Sequence, residues 1–258
     1  MLMRRIREHV TDHNWFAVGI DLVIVVLGVF LGTQVSNWNT ERLAREAGAD
    51  YRARIARDLE TNQGDMQARS DYYRQVRAFG LQVLGSLDGT DRISDQALLI
   101  AAYQATQIYP RPMNRSTYDE VIAVGALDSL GGPELRLRIA NHYVHIETSE
   151  TTFRNVPTYR EAVRRAMPYN VQERIRTACA ETLDYSTEAG LGRMSLPSQC
   201  DLALSREELA QAAARVRAIP GLEFEITRLL ADVDQKLIQA ARAEERASEM
   251  AAELAGAS

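Results

Sequence analysis

The sequence predicts an all-α protein: one N-terminal transmembrane helix, then a soluble bundle of long antiparallel helices with shorter helices inserted. Three observations carry this expectation. Trp15 to Val35, WFAVGIDLVIVVLGVFLGTQV, is 21 residues of almost unbroken apolar character with one charge, Asp21. Two later stretches, Leu43 to Leu87 and Ile226 to Ala240, repeat apolar residues at helical spacing. Strand signals are scarce, with no alternating runs joined by Asn-Gly or Asp-Gly turns.

About 20 apolar residues at 1.5 Å rise cross a hydrocarbon core of ~30 Å. Trp15 and Trp38 bracket the run and are the only two Trp in the chain. Amphipathic indoles favour the two membrane interfaces, so both read as anchors. The apolar run is long for a cleaved signal and no A-x-A pattern follows it, which predicts an uncleaved signal anchor. The expected organisation is a short cytoplasmic tail over 1–14, a transmembrane helix over 15–38, a helical extramembrane domain over 39–252, and a frayed tail over 253–258.

Flanking arginines do not set the orientation. Arg4, Arg5 and Arg7 precede the run, and Arg42, Arg45, Arg52 and Arg54 follow it. Two other features tilt the balance. The N-terminal tail resembles the n-region of a signal sequence. Cys179 and Cys200 flank a loop-like stretch, ETLDYSTEAGLGRMSLPSQ, which suits an oxidising compartment. Bridging a loop of ~20 residues stabilises by roughly 3 kcal/mol in the chain-entropy view. A bridge and a pair of unpaired buried thiols both stay open at this point. The expected location is the bacterial inner membrane, with the N-terminus cytoplasmic and the bulk periplasmic.

The net charge is -5 and charged residues make up 25%, with both signs interspersed. No basic stripe exists, which excludes nucleic acid as an expected partner. Lys236 is the only Lys among 30 basic residues, a bias that points to a GC-rich genome.

Residues 40–88 read as a helix, with Leu43, Ala47, Tyr51, Ile55, Leu59, Met66, Tyr73, Val76, Val83 and Leu87 on one stripe; a join to the apolar run and a break between the two both stay open. Gly48, Gly64 and Gly80 weaken or bend it, and Gly89 stops it. Ser94 caps a helix over 95–108, ended by Pro110 and Pro112. Thr117 and Glu120 form a capping box, and that short helix stops near Gly125. Pro133 opens a helix to about Phe153. Pro157 and Pro168 punctuate helices over 157–166 and 169–183. Ser205 and Glu208 form a second capping box. The last helix, 222–252, carries Ile226, Leu230, Val233, Leu237 and Ala240 at 4-3-4-3 spacing, a heptad seam whose natural partner is the stripe on 43–87.

The order of features resembles a group of uncharacterised bacterial single-pass membrane proteins, a domain-of-unknown-function family. Its N-terminal helix carries an acidic residue, then an aliphatic run with a small-xxx-small pair, then Asn-Trp-Asn. Here these are Asp21, Gly28 and Gly32, and Asn37-Trp38-Asn39. Further matches are ARDLETN (Asp58, Leu59, Asn62), TYDEVIAVGAL (Tyr118, Gly125) and ELRLRIANHYVHIE (Leu135, Tyr143). The likeness covers roughly residues 10–150, with Asp21 where the family has Glu. It implies the single-pass topology and a helical fold, and no activity, cofactor or substrate.

Few residues suggest chemistry. Gly28 and Gly32 form G-x-x-x-G, and Ala17, Asp21, Gly28, Gly32 and Ser36 fall within roughly a 100° arc. Such a small-residue face lets a second helix approach closely in lipid. Asp21 lies about 9 Å beyond Trp15, where an unpaired acid costs on the order of 2–3 kcal/mol. Its place on the glycine arc predicts that it faces protein. His142 and His145 sit three apart near Glu147, but a metal needs a third and fourth ligand, so packing or surface histidines are expected. Gly131-Gly132-Pro133 reads as a turn. Asp58, Glu60 and Asn62 read as a solvated helix face. No G-x-S-x-G elbow, P-loop or G-x-G-x-x-G appears.

The expectation is therefore a membrane-anchored helical interaction or scaffold module of the bacterial envelope, with no catalytic residue, metal or cofactor. Its expected partners are membrane lipid and another membrane protein or a second copy. The alternatives are a sensor-like ligand-binding bundle signalling through a partner, and an enzyme whose site is unrecognised.

Overall fold

The computed structural model describes residues 15–109, 111–184 and 193–256, with backbone alone at Trp15, Phe16, Ala17 and Arg193. Expectations for the tail arginines, for Pro110 and for most of the loop between the cysteines fall outside the described residues.

One helix, α1, runs unbroken for 74 residues, Trp15–Asp88, about 110 Å at 1.5 Å per residue. It joins the apolar run to the stripe on 43–87. Two of the glycines expected to bend it, Gly48 and Gly80, serve packing instead. A Cβ at Gly48 would collide with the Ser129 carbonyl, and one at Gly80 would stand 2.9 Å from Leu230 Cδ2. Gly89, at φ +81°, ends the helix in a conformation that glycine tolerates best.

Helix α2 (Asp95–Gln104) starts where Ser94 Oγ accepts the Ala97 amide at 3.2 Å. It stops four residues earlier than the spacing predicts. Arg160 donates to the Thr106 carbonyl and Arg164 Nε to Thr106 Oγ1 at 2.9 Å, so guanidinium groups satisfy the chain end that further turns would have used. Then come α3 (Ser116–Ala123), a 3-10 turn (Leu127–Leu130), α4 (Pro133–Arg154), α5 (Thr158–Ala166) and α6 (Tyr169–Ala178). Strands β1 (Thr182–Asp184) and β2 (Arg193–Ser195) pair antiparallel in register Thr182↔Ser195, a ribbon the sequence reading took as loop. Helices α7 (Arg206–Arg217) and α8 (Leu222–Gly256) complete the chain. The Ser205–Glu208 capping box is present in both directions.

Cys179 and Cys200 flank the ribbon at disulfide distance, with Cα atoms 5.7 Å apart. The bridge closes the chain at Cys179, which ends α6 at Ala178 rather than near 183.

The core is an antiparallel pair of α1 and α8, tied at the rim by Arg77–Asp234 (2.6 Å) and Gln67–Glu244 (2.8 Å). On α8 the buried seam is Leu222, Ile226, Leu229, Val233, Lys236, Ala240, Ala247, Met250 and Leu254. The expected positions 226, 233 and 240 lie in it, but Leu230 and Leu237 are only half-buried. The residues between follow 3-4 rather than 4-3 spacing. Leu229 and Leu230 are equally apolar, and a charged residue at 236 hides the true phase. On α1 the seam is Ile55, Leu59, Asn62, Met66, Arg69, Tyr73, Val76 and Val83.

Candidate functional site

Two regions are candidates. The first is the apolar part of α1. Val18 to Ala47 is exposed throughout, and an 18-residue window within the helix has mean hydropathy 2.2, long and apolar enough to cross a membrane. Asp21, Gly28, Gly32 and Ser36 lie on this one helix, and among the described residues no other part of the chain covers them. A Cβ at Gly28 or Gly32 would meet nothing within 4 Å. Trp38 is exposed at the end of the run. The side chains of Trp15 and Ala17, the remaining anchor and face residue, are outside the described ones.

The second region is a polar trench between α1 and α4, edged by Tyr109 and by residues 111–116. It corrects the expectation of a solvated face around Asp58 and Asn62. Asn62 is 3% exposed. Its amide exchanges two hydrogen bonds with the Asn114 backbone, each 2.7 Å. Asp58 accepts from Thr117 N at 3.0 Å, from Ser116 Oγ at 3.3 Å and from Asn114 Nδ2 at 2.9 Å.

The first of these bonds also replaces the expected Thr117–Glu120 capping box. The amides at the start of α3 are capped from α1 by Asp58, since Arg115, the residue before the helix, offers no side-chain cap. Glu120 turns away to pair with Arg54, whose guanidinium holds its carboxyl below the usual range. A cap is worth ~1 kcal/mol and a charged hydrogen bond roughly 1.5–3. Asp58→Ala should therefore cost about 2 kcal/mol in urea unfolding and strip amide protection from α3 while leaving α8 protected. A loss under about 0.5 kcal/mol would show that α3 caps itself.

Farther along α1 the trench floor is ionic. Arg69, 1% exposed, donates through Nη2 to Asp65 Oδ2 at 2.7 Å and to the Arg111 carbonyl at 2.6 Å. Its guanidinium is clamped between the Tyr109 and Phe153 rings, 4.8 and 4.4 Å from their centroids. Tyr109 donates its hydroxyl to Asp65 Oδ1 at 3.2 Å. Burial pushes the Tyr109 phenol up, with the Asp65 charge adding to it. Above this floor lies an open cavity of about 800 Å³ edged by Arg111, Asn114, Arg115, Glu147, Glu150 and Arg154. A neighbouring cavity of about 270 Å³ shares Arg111, Pro112, Glu150 and Arg154 with it.

His142 and His145 divide between core and surface. His142 is 7% exposed, and burial pushes its imidazole down to about 4, with His145 and Arg246 adding to the effect. His145 is exposed. Among the described residues no three His, Cys, Asp or Glu side chains gather as metal ligands. Asp65, Arg69, Arg111, Glu150 and Arg154 line the trench or its floor without any signal in the sequence, and Lys236 stood out there by rarity alone.

No protein-family model matches the chain, and no curated protein or solved structure does either.

Proposed function

We propose that the protein is a membrane-anchored helical module that acts by protein contact rather than by catalysis, with its bundle on the periplasmic side. The continuity of α1 carries this reading. The apolar segment, exposed to its last residue, runs without a break into the spine of the folded bundle. Exposed apolar residues on such a scale need a covering of lipid or protein. Asp21, Gly28, Gly32 and Ser36 offer that covering a close-packing face for a second copy or another span. The paired cysteines suit an oxidising compartment and so favour the periplasm for the bundle. The trench favours a second reading, in which the bundle also binds a small ligand and passes the signal to a partner through the rigid α1.

The test is twofold. A C-terminal fusion to a reporter that is active only after export should be active, and activity of a cytoplasm-only reporter there would reverse the orientation. Crosslinking in native membranes should give a defined adduct that Gly28→Leu with Gly32→Leu removes. An unchanged adduct would mean that contact runs through another surface.

A further inference from the structure

The smaller cavity has hydrogen-bond donors to spare and its acceptors are spent. Three guanidinium groups line it, those of Arg69, Arg111 and Arg154, against one carboxylate, Glu150. Glu150 is fully engaged: Oε1 accepts the Met113 amide at 3.0 Å and Oε2 accepts Arg154 Nη2 at 2.5 Å. Asp65 belongs to the floor of the contiguous trench, its oxygens taken by Arg69 and Tyr109, with Arg111 at 3.9 Å. On the donor side, Arg69 Nε–H is buried with no acceptor, although both Nη atoms are bonded. Among the described residues Arg111 meets the Tyr109 hydroxyl and, in a long contact, Asp65, and Arg154 pairs with Glu150. A buried guanidinium edge without an acceptor is costly, and the planar forks of arginine match an acid group bidentately.

We propose that this cavity binds the acid group, carboxylate or phosphate, of a small polar ligand whose body lies in the contiguous trench. The about 800 Å³ of trench, edged by Asn114, Thr151 and charges of both signs, suits a polar body rather than an apolar one. The site is built from the bundle, including the bundle part of α1, and does not depend on what covers the apolar segment of that helix.

The experiment uses the full chain in neutral detergent micelles, at constant ionic strength, with chloride exchanged stepwise for inorganic phosphate or for acetate. Thermal unfolding and titration calorimetry are the readouts, since a ligand that binds the folded state raises Tm saturably. Wild type should show saturable stabilisation by at least one of the two anions over chloride, and the effective anion names the acid group. Arg111→Gln with Arg154→Gln, both at exposed sites, should weaken binding about tenfold or more, the equivalent of losing a charge-assisted hydrogen bond. Arg74→Gln, an exposed arginine in an equivalent helix pair outside the trench, should leave it unchanged. Equal behaviour in phosphate, acetate and chloride would overturn the proposal, as would undiminished binding by the double variant.

Discussion

Asp65→Ala lowers the stability of the folded chain by about 3–5 kcal/mol, the cost of stranding a buried charge. Arg69 stays in place because Tyr109 and Phe153 hold its guanidinium, so removing the carboxylate leaves a cation 1% exposed with only carbonyl partners. Asp65→Asn should cost less, because an amide oxygen can still accept from Arg69. The combined Asp65→Ala with Arg69→Met should recover most of the loss, since an apolar seam residue carries no charge to desolvate. Guanidinium chloride unfolding of the four proteins decides the matter. A single-variant loss below about 1 kcal/mol would mean that water reaches the pair and the trench floor is not dry.

Lys236→Met acts in the opposite direction. Lys236 occupies a seam position of α8 at 2% exposure, with Nζ donating to the Asn155 carbonyl at 2.8 Å and lying 5.1 Å from the Tyr73 ring centroid. Burial pushes the ammonium down to about 8; Asp232 opposes this and Arg69 adds to it. The unfolded chain binds this proton more tightly than the folded one. The Lys236 contribution to stability is therefore fully present above pH ~10.5, declines as pH falls, and is lost below about 8. The span corresponds to roughly 3 kcal/mol. At pH 7 Lys236→Met should stabilise by about 1–3 kcal/mol, less the unpaired Asn155 carbonyl. The difference between variant and wild type should shrink between pH 8 and 10.5. Subtracting the two curves also removes Tyr159, whose phenol is raised by burial alone and acts on both proteins alike. A difference that stays flat with pH would refute the assignment.

Both residues mark where the sequence was legible and where it was not. The stripe on α1 shows steps of seven, from Leu59 to Met66 and from Met66 to Tyr73. The skipped seam positions are Asn62 and Arg69, and Lys236 fills the matching gap between Val233 and Ala240. Apolar periodicity finds a seam from its apolar members and passes over polar residues that sit in it, because their burial depends on partners far along the chain. Asn114, Tyr109 and Asn155 supply those partners, from loops that carry no periodic signal. Local features read well for the same reason. Ser94, Ser205 and Glu208, Gly89 and Pro133 each act within a few residues of themselves. The Thr117–Glu120 box failed because two tertiary partners, Asp58 and Arg54, outcompeted a local one. The pairing of α8 with α1 followed from their apolar stripes.

The unbroken α1 also has a mechanical consequence. From Trp38 to Asp88 the helix extends about 75 Å beyond the apolar segment. Spans adjust to bilayer thickness by tilting. With no hinge at Gly48, Gly64 or Gly80, a change of tilt of about 10° swings the far end of the bundle sideways by about 13 Å, several times any shift within the bilayer. On the proposed reading of the apolar segment as a span, the chain has the geometry of a pointer, on which a small change of tilt at that segment becomes a large displacement at the ribbon and at α7.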